Sequence, residues 1–286
     1  MKLSKLKRGV VLPPTSLVLV SMGSIQLSTA IAKSSFDAVG PMAMLFLRMS
    51  LAAVMLFILW RPRPTEEIRA HYRLIILFGL ALAAMNACFY YSLVYIPLGV
   101  AVTLEFVGPL GVALFNSRRR MDLLWVLLAS VGIILLSPFE GSALDPVGVA
   151  LALLAGGFWA AYILLTARTG RVFQGSEGLT LGLATASVIL LPWGLGSAGW
   201  ALIQPNILFV GFWVALFSAV TYSLELEALK RLPVNIFGVL MSLEPAIATL
   251  LGFIILGEVL ALREMTAVLL VTIAAIGASR FNKHHC

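Results

Sequence analysis

The feature that most limits what this chain can become is its supply of long apolar runs. About 20 apolar residues span a bilayer as a helix, and runs of that kind fall at 14–32, 41–60, 74–95, 99–115, 122–137, 146–167, 177–195, 207–229, 234–256 and 261–279. Short polar or basic stretches separate them, and almost no chain is left over for a soluble domain. Charged residues make up 12% of the 286 positions and hydrophobic ones 60%, whereas a soluble domain carries about one quarter charged residues. The main solvent of this chain is therefore lipid, and the runs predict an all-α membrane protein of ten transmembrane helices. Runs four and five are short, but Arg118, Arg119 and Arg120 lie between them. Three adjacent cations do not sit in hydrocarbon, so they mark an aqueous boundary.

Lysine and arginine accumulate on the cytoplasmic side of a membrane. With ten helices, all but three of the 20 Lys and Arg residues fall on one surface together with both termini; the exceptions are Lys33 and Arg263 on the other surface and Arg48 within the second run. The expected topology is thus N-in, C-in, and a wrong helix count would have scrambled this segregation. The net charge of +7 is spread over the inner loops and tails rather than gathered on one element, which argues against nucleic acid as a partner. The first run is basic and then apolar, like a signal peptide, but without a small-residue cleavage site it reads as a retained helix. Cys88 lies inside the third run and Cys286 ends the chain, which leaves no disulfide framework.

The chain also repeats itself. Tyr91 to Phe115 matches Glu227 to Leu251 at an offset of 136 residues, pairing Leu93 with Leu229, Pro97 with Pro233, Leu104 with Leu240 and Pro109 with Pro245. Each unit ends a helix, turns at a proline and starts a helix that a second proline interrupts. The expected units are residues 1–137 and 138–286. Five helices is an odd number, so the second half enters the membrane from the opposite side. Inverted repeats recur in secondary transporters, with the substrate site near the midplane between the halves.

Four ionisable residues, Arg48, Glu105, Glu225 and Glu244, lie within apolar runs. Each charge at a helix centre costs roughly 2.5–3.5 kcal/mol on insertion scales, so three approach ~10 kcal/mol. They must be paired, neutralised or face water. An ion pair between Arg48 and Glu105 is the simplest structural solution. Glu244 precedes Pro245, which removes a backbone donor and loosens the turn before it, a setting suited to a proton or substrate relay or to a purely structural carboxyl. Glu225 and Glu227 lie near the inner end of run eight, and Glu227 stands four residues before Arg231, the favourable order for an interfacial helical pair. Gln26, Asn86, Tyr90, Tyr91, Trp159, Tyr162, Tyr222 and Asn235 complete the pool of cavity candidates. Tyr and Trp also gather at helix ends for reasons unrelated to substrate, so Gln26, Asn86, Trp159 and Tyr162, set well inside their runs, stand out. The small-residue pairs Ala152/Gly156 and Gly178/Gly182 read as close helix packing.

No histidine or cysteine spacing suggests a metal, and no phosphate-cradling Gly-x-x-x-x-Gly-Lys-Ser/Thr loop is present. No cofactor is expected, and uphill movement of a solute would draw on an ion gradient or on a partner subunit. Intramembrane hydrolysis needs a nucleophile and a base at one depth, and no such set is evident, so an enzyme or lipid scramblase is the weaker class, alongside a structural subunit.

The stretches Ile96 to Pro109 and Arg231-Leu232-Pro233 with Phe237 to Ala246, and the Leu256-Gly257-Glu258 element, resemble the EamA-like branch of the drug/metabolite transporter superfamily over nearly the whole chain. Leu-Glu-Phe-x-Gly-Pro at 104–109, Tyr-Ser-Leu-Glu at 222–225 and Met-Ser-x-Glu-Pro-Ala at 241–246 look most like the bacterial inner-membrane threonine and homoserine exporters. One departure is Asn116-Ser117-Arg118, which replaces a second Leu-Gly-Glu in the first half. The resemblance implies a proton-coupled exporter of a small amino acid working by alternating access, with another metabolite (an aromatic amino acid, a nucleobase or a drug-like compound) as the nearest alternative. Self-association into a homo-oligomer stays open. A zwitterion in a dehydrated cavity needs a partner at each end. Arg48 suits the carboxylate, Glu105 or Glu244 the ammonium or the coupling proton, and Gln26, Asn86, Trp159 and Tyr162 the rest of the substrate site.

Overall fold

The computed structural model describes residues 13–33, 35–62, 65–96, 98–115, 120–136, 145–173, 175–241, 243, 244 and 247, with scattered positions between 262 and 277. The described secondary structure is entirely helical: α1 (Pro14–Lys33), α2 (Phe36–Val39), α3 (Pro41–Trp60), α4 (Glu66–Ala70), α5 (Tyr72–Tyr95), α6 (Leu98–Glu105), α7 (Val107–Phe115), α8 (Arg120–Leu136), α9 (Pro146–Val172), α10 (Glu177–Ala198), a 3-10 turn (Gly199–Ile203), α11 (Pro205–Leu229) and α12 (Val234–Met241). Among these, α3, α5, α9, α10 with its 3-10 extension, and α11 are long and apolar enough to cross a membrane, with mean hydropathies between 1.6 and 2.3. The second expected run coincides with α3. The sixth is longer than expected, because α9 runs on past 167 through Arg168 and Arg171. Beyond Met241 the ninth run, and the whole of the tenth, are described only at isolated residues, and Arg118, Arg119, Asn116, Ser117, Glu258 and the Asn235 side chain lie outside what is described.

Local signals account for the helix starts. Pro occupies the first turn of α3, α9 and α11, where its missing N–H costs nothing. Asp145 caps α9 by accepting from the backbone N–H groups of Val147 (2.7 Å) and Gly148 (3.3 Å). Gly40, with φ 78°, makes the sharp turn from α2 into α3. The short α2 and α4 were not foreseen from hydropathy, since neither spans anything; Thr65 caps α4 at the amide of Ile68.

The fourth expected run is two helices that break at Phe106. Pro109 lacks an N–H for the carbonyl of Glu105, four residues back, and its ring crowds that carbonyl. The loosened turn lies directly on α9. A methyl group placed on Gly156 would stand 2.6 Å from the Glu105 carbonyl oxygen, and one on Gly108 would overlap the Gly156 carbonyl. Small residues on both sides are what permit this approach. Gly182 of α10 likewise packs under the Phe78 ring of α5.

The principal packings form a set with an internal exchange. Helix α1 packs on α11 and α5 on α9; α3 packs on α11 and α5 on α10; α6–α7 packs on α9 and α12 on α1. Two further packings, α3 on α10 and α7 on α12, each join a helix to its counterpart. Exchanging α1 with α9, α3 with α10, α5 with α11 and α6–α7 with α12 returns the same pairs. The offset of 136 residues also carries Leu98–Glu105 onto Val234–Met241, the bounds of α6 and α12. The outward faces are apolar, as at Leu59, Val188 and Phe209, and the polar side chains converge between the helices.

Candidate functional site

Six helical segments direct polar side chains to one interior cavity: Gln26 and Thr29 from α1, Arg48 from α3, Asn86 from α5, Glu105 at the end of α6, Trp159 and Tyr162 from α9, and Thr221, Tyr222 and Glu225 from α11, with Glu244 beyond α12. Helical periodicity explains the selection. Trp159 and Tyr162, like Tyr222 and Glu225, are three apart and share a face. The cavity measures about 60 Å³, room for roughly four to six water-sized groups at ~10–15 Å³ each.

Arg48 is 2% exposed and is held by neutral groups. Its Nη2 donates to Asn86 Oδ1 and, at 3.3 Å, to Tyr222 OH. Asn86 is fixed in turn, its Nδ2 donating to the Leu82 carbonyl at 2.8 Å and to Tyr222 OH at 3.2 Å. The guanidinium lies 5.1 Å from the centroid of the Tyr90 ring, within cation–π range. Among the described residues its Nε has no hydrogen-bond partner, and neither has the Tyr90 hydroxyl. Three carboxyls face the same space. Glu244 Oε1 accepts from Gln26 Nε2 at 2.9 Å, while its Oε2 has no partner among the described residues. Glu225 Oε2 accepts from Tyr162 OH at 2.6 Å. Glu105 is buried at the break of the interrupted helix, beside the edge-to-face pair of Phe106 and Trp159, whose centroids are 4.9 Å apart.

The simplest expectation for Arg48, an ion pair with Glu105, is not realised: among the described residues the ion pairs join Glu227 to Lys230 and to Arg231. Asn86 and Tyr222 occupy the guanidinium edge, so its charge stays available to the cavity. Gln26, Arg48, Asn86, Glu105, Trp159, Tyr162 and Glu244 all reach this one cavity. Tyr91 does not, being 42% exposed on the outer face of α5, whereas its neighbour Tyr90 is fully buried. Glu225 and Tyr222 are cavity candidates by sequence, but their place toward a helix end does not single them out as substrate-site residues. The structure buries both against the cavity, Glu225 at 4% exposure. The available signal is the 3- and 4-residue spacing of Ser218, Thr221, Tyr222 and Glu225, which puts these polar side chains in one stripe along α11.

A helical membrane protein whose buried polar groups enclose a small cavity, with one guanidinium and several carboxyls facing it, has the build of a small-solute carrier. Comparison with known proteins narrows this class. Residues 146–280 match the EamA-like transporter family. The chain is 41% identical over 269 residues to the threonine/homoserine exporter RhtA of Salmonella typhimurium, in an alignment covering 93% of this chain and 91% of the relative. It is 40% identical, with the same coverage, to the threonine/homoserine exporter RhtA of Escherichia coli K12. A crystal structure that is 19% identical superposes with a TM-score of 0.75 over 94% of this chain and 99% of its own, a likeness of fold. The chain belongs to the EamA-like transporter family; it is a transporter and not an enzyme.

Proposed function

We propose that this transporter exports threonine and homoserine across the bacterial inner membrane, with ten helices, both termini in the cytoplasm, and inverted halves at residues 1–137 and 138–286. The observation that carries the reading is a buried guanidinium that has no ion-pair partner among the described residues and faces three carboxyls across one small cavity. A zwitterion supplies the charges such a cavity lacks. Arg48, oriented by Asn86 and Tyr222, takes the carboxylate through its planar donors. The ammonium is shared between Glu105 and Glu244, with Gln26 steadying the second, and Trp159 and Tyr162 close over the remainder. The exchange of packing partners described above supports alternating access, in which one half rearranges as the other did before.

Proton coupling resides at Glu244 and Glu105. Glu244 Oε2, which has no hydrogen-bond partner among the described residues, gives that carboxyl an oxygen to take a proton or a substrate donor. The test is efflux of radiolabelled threonine from proteoliposomes holding purified protein, with and without an imposed proton gradient. The reading expects gradient-stimulated efflux that excess homoserine suppresses, and in Glu244→Gln an efflux indifferent to the gradient from protein that is still folded. No flux above protein-free vesicles would discard the substrate, and unchanged coupling in Glu244→Gln would remove that residue from the relay.

A further inference from the structure

The cavity holds one carboxyl more than a zwitterion and a coupled proton require. Arg48 meets the substrate carboxylate, and Glu105 and Glu244 serve the ammonium and the proton, which leaves Glu225. Its surroundings differ from those of the other two. One of its oxygens already accepts from the Tyr162 hydroxyl at 2.6 Å, whereas Glu244 accepts from an amide, so Glu225 alone of the three is paired with a second hydroxyl-type group that can either donate or accept. Tyr162 is held in place by stacking on Phe78, with centroids 5.8 Å apart and planes 14° from parallel. It meets Tyr222 edge to face at 6.0 Å, and Tyr222 in turn contacts Arg48 at 3.3 Å. The pair thus lies beside the pole that receives the carboxylate, about one side chain away, and the phenol oxygen retains lone pairs while its proton points to Glu225.

We infer that Tyr162 and Glu225 form the subsite for the substrate's side-chain hydroxyl and set the preference for hydroxy amino acids. This rests on the proposed export of threonine and homoserine. Those two molecules share little beyond the amino-acid group and one hydroxyl, placed on different carbons. Removing the hydroxyl from either yields 2-aminobutyrate. A hydroxyl both donates and accepts: it donates to the Glu225 carboxylate and accepts from the Tyr162 hydroxyl once the phenol proton turns from the carboxylate to the substrate. The analogue without the hydroxyl makes neither bond and sets an apolar group against the buried Glu225 carboxylate.

The experiment loads proteoliposomes with equal amounts of labelled threonine and 2-aminobutyrate and measures the ratio of their initial efflux rates. A ratio taken within one vesicle population does not depend on how much of a variant has folded. The expected wild-type ratio is about tenfold or more in favour of threonine, the scale of one buried hydrogen bond. Tyr162→Phe and Glu225→Gln should each bring it near unity, while Tyr91→Phe, on the outer face, keeps the wild-type ratio. A wild-type ratio near unity, or a high ratio retained by either Tyr162→Phe or Glu225→Gln, overturns the subsite and leaves amino-acid export standing. If the wild type moves neither compound, the export reading itself is overturned and the subsite with it.

Discussion

Adjacent glycines in α9 allow a sharp test of how the interrupted helix is seated. Gly156 faces the Glu105 carbonyl, and a methyl group there would stand 2.6 Å from the oxygen; Gly157 has nothing within 4 Å. To relieve the first contact, α9 and the end of α6 must part by about 0.8 Å, from 2.6 Å to the 3.4 Å at which ordinary contact begins. The obstructing atom is backbone, so no rotamer change relieves it. Overpacking of this kind costs about 1–3 kcal/mol. Glycine to alanine within a helix gains about 0.5–1 kcal/mol at either position, so that contribution cancels between the two variants. Gly156→Ala should therefore be less stable than Gly157→Ala by about 1–3 kcal/mol, with Gly157→Ala at or above wild type. The displacement also separates Glu105 and Phe106 from Trp159, and a misplacement near 1 Å at a working site costs up to about a hundredfold in rate. Thermal unfolding in detergent and efflux from proteoliposomes read the two effects. Equal melting temperatures and equal flux for the two variants would refute the seating described here.

Other expectations are simpler. Arg48→Lys keeps the charge but replaces the planar fork with a point donor, so threonine efflux should fall at least about tenfold, the scale of one lost buried hydrogen bond; wild-type flux would show that the guanidinium geometry is not used. Ser28 donates to the Val214 carbonyl at 2.9 Å and shares a hydrogen bond with Ser218. Ser28→Ala should cost about 0.6 kcal/mol and no more than about 1.7 kcal/mol, the average and the maximum for interhelical hydrogen bonds in membranes, read by chemical unfolding. Glu227→Gln breaks a partly exposed pair with Arg231 and should change stability by no more than about 0.5 kcal/mol; a larger loss in the same assay would mean the pair supports more than its own helix.

The helices were legible because lipid leaves few options for twenty apolar residues in a row, and α3 and α5 fall where the runs placed them. The break at Phe106 was legible too, because Pro109 alone requires one. The position of the cavity residues followed from the scarcity of polar side chains inside apolar runs, which singled out Arg48, Asn86 and Gln26. What hydropathy does not encode is direction around a helix in a segment apolar on every side. Tyr90 and Tyr91 are neighbours in sequence, yet about 100° of rotation puts one under Arg48 and the other on the outer face. Nor does it encode which distant helices meet. The neutral clasp of Arg48 by Asn86 and Tyr222 joins α3, α5 and α11, and nothing local in any of them specifies the other two.

The mutual exchange of packing partners bears on how a single substitution would act. In a carrier whose two orientations reuse the same contacts with the halves' roles reversed, an interface that tightens when the cavity faces one way has an image that tightens when it faces the other. Loosening α9 against α7 and loosening α1 against α12 would then tilt the population in opposite directions, and the double variant would return toward the wild-type distribution while being less stable than either single change.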